Sequence, residues 1–361
     1  MNTFGRAFRL TTFGESHGPG LGAIVDGCPA GLELAAADVQ GELDRRRPGQ
    51  SRLTSQRAEA DRVEILSGVF EGKTTGMPIA MLVRNVDADS SAYGEIKDLA
   101  RPGHADLGYF LKYGHRDYRG GGRSSGRETL GRVAGGAVAK KLLALKGISI
   151  YAHTTAIGDA IAGEASLDDV INNTYKNPVH CADLASVDAL SEAIEAAKRH
   201  GDSVGGTVEI LALGVPPGLG SPVFGKLDAG LAGALMGIGG VKSVEIGAGI
   251  DAARLQGSEM NDELYVDDGQ VKAKTNHAGG ILGGISTGMP VVCRIAVKPT
   301  PSISKKQRTV NMRTREDATI EIKGRHDPCI VPRIGPVAEA MMALVLADHM
   351  ILSGLLGPDH I

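Results

Sequence analysis

Short β-rich runs recur along this chain with helical patterns between them, and that alternation limits the possible fold more than any other feature. The runs are Leu21–Val25, Val63–Val69, Ile79–Val83, Ile148–His153, Thr207–Leu213, Ser243–Ile246 and Val291–Val297. The clearest helical pattern, Arg127–Lys146, opens at Ser125 with Glu128 following at capping-box spacing, and it closes at Gly147. Others cover Asp38–Arg47, Val187–His200 before Gly201, and Pro336–Leu352. Strands mixed with helices read as α/β or α+β, with helices packed against sheets. No linker, low-complexity tract or internal repeat divides the 361 residues. A single domain over residues 1–361 is therefore expected, although length alone allows one large domain or two.

Composition excludes several classes. Hydrophobic residues at 42% and charged residues at 22% are ordinary for a globular chain. A net charge of −3 argues against a protein that coats nucleic acid, so no nucleic-acid partner is expected. Cys28, Cys181, Cys293 and Cys329 lie far apart with no C-x-x-C pair, which removes the common zinc spacings and a disulfide framework. No apolar h-region follows Arg6 and Arg9, and the longest apolar stretch, Ala340–Ala347, is too short to cross a bilayer. A cytoplasmic protein without a membrane partner is expected. The 51 glycines are about twice the usual share and suggest tight turns or close approaches of the backbone.

Arginine is clustered. Arg45, Arg46, Arg47, Arg52, Arg57 and Arg62 form one group; Arg101, Arg116, Arg119, Arg123, Arg127 and Arg132 form another. The second surrounds Gly120-Gly121-Gly122-Arg123-Ser124-Ser125, a glycine run ending where a helix begins. Free N–H groups, a positive dipole end, hydroxyls and guanidinium forks together suit phosphates or carboxylates. The bland alternative is a solvated surface on which these arginines pair with Asp44, Glu59, Asp61, Asp106, Asp117 and Glu128. The loop is not a P-loop, and no stretch carries the dinucleotide fingerprint. The ten histidines show no metal-ligand spacing. His17, in Phe13–Gly18, and His104, in Arg101–Asp106, lie beside glycines and arginines where proton exchange at an anionic site is plausible chemistry. Gly324-Arg325-His326-Asp327-Pro328 pairs a cation with a carboxylate before a proline turn.

These stretches together resemble the chorismate synthase family. Phe13–Gly18 (FGESHG), Gly120–Glu128 (GGGRSSGRE) and Gly324–Cys329 (GRHDPC) look like its signature segments. Asp44–Gly49 (DRRRPG), Arg101–Asp106 (RPGHAD), Tyr113–Gly122 (YGHRDYRGGG), Asn276–Ser286 (NHAGGILGGIS) and Lys298–Thr300 (KPT) add matches in the family's order. The resemblance implies an α+β, single-domain βαβ sandwich with antiparallel sheets and helices, assembled as a homotetramer. It implies 1,4-anti elimination of phosphate from 5-enolpyruvylshikimate-3-phosphate, giving chorismate, with reduced FMN as cofactor and no net redox change. A substrate and a cofactor this rich in phosphate and carboxylate would explain the arginines.

By the same resemblance, His17 matches a histidine that protonates near the reduced flavin or the departing phosphate. His104 matches one beside flavin N1, where a cationic imidazole would stabilise negative charge. Asp327 matches the carboxylate linked to proton removal at flavin N5. Ser16, Arg52, Arg101, Arg127 and Arg325 match holders of the substrate's anionic groups; Arg46 and Arg52 also match positions for a nicotinamide phosphate. Arg123, Ser124, Ser125, Gly239, Gly240, Gly283, Lys298, Thr300, Ser302 and Arg325 match FMN contacts. Gly239-Gly240 stands where relatives often carry a larger pair, Pro301 interrupts a hydroxyl run, and Gly126 replaces a common alanine. With no nicotinamide fingerprint, no intrinsic reductase is expected; a separate flavin reductase supplies reduced FMN, and NADPH serves only indirectly. The rivals are another flavin- or phosphate-dependent lyase on this scaffold, and a polyanion-binding protein, against which the net charge of −3 and the few aromatics count.

Overall fold

Alternating buried and exposed positions build two five-stranded sheets. The computed structural model describes residues 1–54, 59–86, 93–322 and 326–357. Its first sheet holds, in spatial order, Thr3–Phe4, Arg9–Gly14, Gly20–Asp26, Ile79–Arg84 and Val63–Ile65. The second holds Val241–Ile246, Val291–Val297, Gly206–Leu213, Ser149–Ile157 and Ala160–Ile161. Neighbours in both are antiparallel. In Val291–Val297, Val291, Cys293, Ile295 and Val297 are buried and the residues between them are not, the period of a strand with one face on a core.

Between the sheets lie the helices Ala36–Arg46, Thr129–Ala144 and Val331–Leu352. This is a β-α-β sandwich of class α+β with antiparallel sheets, as the resemblance implied. The central helix, Thr129–Ala144, is buried on most of its surface and packs along Val331–Leu352. Glycine permits the close crossing: a Cβ at Gly136 would stand 2.3 Å from that of Ala340. Val331–Leu352 is long and apolar enough, by length and composition, to cross a membrane, but 94% of its apolar window is buried inside the fold, so it is a core helix.

Two buried carboxylates on that helix bind distant parts of the chain. Asp348 accepts the backbone N–H groups of Arg6, Ala7 and Phe8 at 2.9, 2.6 and 2.9 Å. Glu339, fully buried, accepts from Tyr175 Oη at 2.7 Å, Ala152 N at 2.9 Å, Arg45 Nη2 at 3.1 Å and Lys140 Nζ.

Three local expectations are corrected. The Val63–Val69 run is broken, because Gly68 turns at φ +81° and Val69–Phe70 pairs with Lys73–Thr74 in a separate hairpin. The last helix begins at Val331, not Pro336. Pro336 cannot donate to the Pro332 carbonyl one turn back, and His180 Nδ1 donates to that carbonyl instead, at 2.7 Å. The capping box at Ser125 does not form. Ser125 Oγ accepts from Arg127 N and opens a 3-10 turn, Gly126–Glu128, while the Glu128 carboxylate accepts from Thr12 Oγ1 and Arg132 Nε, both at 2.9 Å.

Candidate active site

The turns that join these layers leave a cavity of about 540 Å³, within the ~300–1,000 Å³ span of ligand pockets. Its walls come from the Arg101–Ala105 turn, the glycine loop before the central helix, the Gly237–Gly240 turn, the end of the second sheet at Lys298–Ser302, and the start of the last helix.

Glycine is required in the loop. Gly120 and Gly121 have φ of +62° and +114°, which a residue with a Cβ adopts only with strain. A Cβ at Gly120 would also lie 2.0 Å from His17 Cε1, and one at Gly121 3.1 Å from His104 Nε2. The loop thus brings two histidines, far apart in sequence, to one wall. His17 Nδ1 is hydrogen-bonded to the buried Ser16 Oγ at 3.0 Å, and its ring meets Tyr93 edge-on at 5.4 Å.

Cations dominate the lining. Arg46, Arg101, Arg123, Arg127, Arg132, Lys298 and Arg333 face it, against the carboxylates of Glu128 and Asp327. Two further carboxylates stand behind them. Asp61 accepts from Arg46 Nη2 at 2.6 Å and Arg127 Nη1 at 2.8 Å. Burial opposes its ionisation, but the two guanidiniums hold its carboxyl below the usual range. Burial pushes the Arg46 guanidinium down to about 10 against the pull of Asp61, with Arg333 and Arg127 adding to the shift; it remains a cation at neutral pH. Asp106 accepts from Arg101 Nε and Nη2 at 2.7 and 3.0 Å and from Arg116 Nη1 at 3.0 Å. Burial opposes its ionisation but is outweighed by Arg101 and His104, and its carboxyl is held far below the usual range.

Asp327 is ion-paired with Arg333 Nη1, and Arg333 Nε donates to the Arg46 carbonyl at 3.2 Å. Thr300 Oγ1 donates to the Asp327 carbonyl at 2.7 Å, and Lys298 Nζ reaches the Gly103 carbonyl at 2.5 Å, joining two walls. Burial lowers the pKa of His104, against its contact with Asp106 and with help from Arg101 and Arg116. That direction disfavours the imidazolium while no anionic ligand faces the ring. Burial also lowers that of His326, against Asp327 and with help from Arg101.

Most residues singled out in the sequence meet here. His17, His104 and Asp327 line the cavity with Arg46, Arg101, Arg123, Ser124, Ser125, Arg127, Gly239, Gly240, Lys298, Thr300 and Ser302. Ser16 lies behind His17. Arg52 does not face the cavity; it is exposed and pairs through Nε with Glu195 Oε1 at 2.9 Å. Gly283 sits exposed at the Ile281–Leu282/Ile285–Ser286 turn and is not part of the wall. Arg325 and Arg57 lie outside the described residues. Tyr93, Arg132, His326 and Arg333 are among the lining residues to which the sequence assigned no role. Arg132 follows Glu128 by one helical turn, a pairing visible in the sequence; Arg333 stands in no motif used above. Among the described residues, no group of three or more His, Cys, Asp or Glu could hold a metal ion.

Known proteins share this chain's sequence and fold. A profile of the family described as chorismate synthase matches residues 8–351. A chorismate synthase from Methanocella arvoryzae is 68% identical over 357 residues, covering 99% of this chain and 96% of the relative. One from Methanothermobacter thermautotrophicus is 57% identical over 361 residues, covering 100% and 96%. A crystal structure of chorismate synthase superposes with a TM-score of 0.80 at 35% identity, covering 98% of this chain and 94% of that one. The chain belongs to the chorismate synthase family.

Proposed function

We propose that the chain eliminates phosphate from 5-enolpyruvylshikimate-3-phosphate, 1,4-anti, to give chorismate, a carbon–oxygen lyase step of the shikimate pathway to aromatic amino acids, with reduced FMN bound beside the substrate. The observation that carries this reading is one cavity in which seven cationic side chains face two carboxylates, with His17, His104 and His326 also in its lining. A phosphate and two carboxylates on the substrate, with the flavin's phosphate, match that excess of positive charge.

The residues present fit anionic ligands. Arg127 Nη2, 3.5 Å from Glu59 Oε2, is buried without a hydrogen-bond partner among the described residues and has donor capacity left for a substrate oxygen. A Cβ at Gly126 or Gly239 would meet nothing within 4 Å, so both leave open space at the wall. Arg123, Ser124, Ser125, Gly239, Gly240, Lys298, Thr300 and Ser302 would hold the cofactor, and Arg46, Arg101 and Arg127 the substrate's anionic groups. When bound, reduced FMN supplies transient electron density that labilises the phosphate, with no net redox change. Ser16 orients the His17 ring through Nδ1, and His17 holds the proton needed at the departing phosphate or the flavin. Asp327 takes up the proton removed at the other end of the reaction, and Arg333 balances its charge. This reading includes a cytoplasmic homotetramer with one catalytic domain per chain, and a separate reductase through which NADPH acts.

The test is to mix purified protein, anaerobically, with 5-enolpyruvylshikimate-3-phosphate and dithionite-reduced FMN, and to measure phosphate and chorismate. Both should appear, and only with reduced flavin. Binding of flavin and substrate without product would move the chain to another lyase reaction on the same scaffold. Aerobic reduction of FMN by protein and NADPH alone would overturn the need for a separate reductase.

A further inference from the structure

We infer that Asp106 is a positioning residue that sets the tautomer of His104, keeping the proton on Nδ1 and turning the Nε2 lone pair toward the cavity. The assignment of the cavity as the catalytic site is taken from the reading above; the tautomer itself does not depend on it. Asp106 is the first residue of the helix Asp106–Tyr113 and almost fully buried. Its carboxylate is saturated with donors: Arg101 N at 3.2 Å, Arg101 Nε at 2.7 Å, Arg101 Nη2 at 3.0 Å and Arg116 Nη1 at 3.0 Å. An ionised carboxylate only accepts. His104 Nδ1 lies 3.0 Å from Asp106 Oδ1, without the alignment of a full hydrogen bond. A lone pair pointing at that oxygen would meet negative charge at contact distance, whereas an N–H there is attracted to it even when bent. The proton therefore sits on Nδ1.

The other nitrogen then has a defined task. Nε2 points to the glycine loop, 3.1 Å from where a Cβ on Gly121 would be, at a wall of the cavity. In the Nδ1–H form it is an acceptor, ready to hold a proton from a bound ligand or water. The imidazolium so formed would have its Nδ1–H against Asp106, so one carboxylate serves both states. The arginines that share Asp106 dilute its charge, which fits an imidazole that is neutral until a ligand brings negative charge. Asp106 is not among the residues that line the cavity; it acts through His104 and Arg101.

The experiment is magic-angle-spinning NMR of the full chain labelled with ¹⁵N-histidine, the His104 signals being those lost in His104→Gln. The wild-type protein should show Nδ1 protonated and Nε2 bare at pH ~7.5, and Asp106→Asn, whose amide can donate, should shift His104 toward Nε2–H. Turnover of Asp106→Asn should fall at least about tenfold, with FMN affinity changed far less. An Nε2–H tautomer in the wild type, or an unchanged Nδ1–H tautomer in folded Asp106→Asn, would overturn the assignment. If the Asn variant does not fold, Asp106→Glu, which keeps an acceptor-only group, should retain Nδ1–H, and loss of it would count equally against the inference. Should no variant or wild-type sample make chorismate, the functional reading fails while the tautomer result still decides the role of Asp106.

Discussion

Gly120 carries a constraint that no other side chain meets: φ of +62°, and His17 Cε1 2.0 Å from the place a methyl would take. Gly120→Ala should strain the loop by ~1–3 kcal/mol and push His17 aside. Since ~1 Å of misplacement can cost ~10²-fold in rate, turnover should drop by about that factor with a lower melting temperature; unchanged kinetics would mean His17 has no part in catalysis. His17→Ala and Asp327→Ala should each reduce turnover by ~10²–10⁴-fold while flavin affinity, measured by fluorescence titration, changes little. Residues inside a motif were legible because their neighbours in sequence are also their neighbours in space, as with Ser16 and His17. Arg333 was not, since it reaches Asp327 only once the chain has turned into the last helix, and no local spacing records that turn.

Among the elements, the last helix shows how far periodicity reaches. Its apolar body could be read directly, but its start could not: Pro336 signals a boundary, and His180, brought from a distant turn, satisfies the Pro332 carbonyl that Pro336 leaves without its N–H. Ser125 and Glu128 likewise had capping-box spacing, yet Glu128 is drawn off to Thr12 and Arg132 by tertiary contacts. Such partners outweigh a local preference worth about 1 kcal/mol. The same helix carries Glu339, whose four donors come from four separate segments. Glu339→Ala should destabilise the fold by ~1–3 kcal/mol, because it leaves the buried Ala152 N–H without its acceptor and takes one carboxylate from the half-buried Lys140 and Arg45. Denaturant unfolding followed by circular dichroism measures this, and a loss below ~1 kcal/mol would show that water or Glu42 replaces the carboxylate.

For the whole molecule, acid should act in two stages. His104, His180, His326 and His349 all have folded pKa values lowered, burial being the largest cause. The unfolded chain therefore binds protons first once pH falls below about 6.5, and stability decreases there. Asp61 and Asp106 have folded values lowered, the first by Arg46 and Arg127 and the second by Arg101 and His104, so their contribution persists until pH falls below about 4 and is lost beyond it. Melting temperature against pH should show both declines; a flat profile down to pH ~4.5 would remove the histidines from the account. The mixture of strands and helices was visible from patterning, whereas the layering was not, because strand order depends on pairings between segments far apart. One such long-range link bears on how the chain is made. Asp348 gathers the N–H groups of Arg6, Ala7 and Phe8 across a separation of 340 residues or more, so the backbone leading into the second strand of the first sheet lacks this acceptor until Asp348 has been synthesised. Until then a nascent chain leaves those three N–H groups to water, and the link between its first residues and its last helix is among the slowest contacts to form.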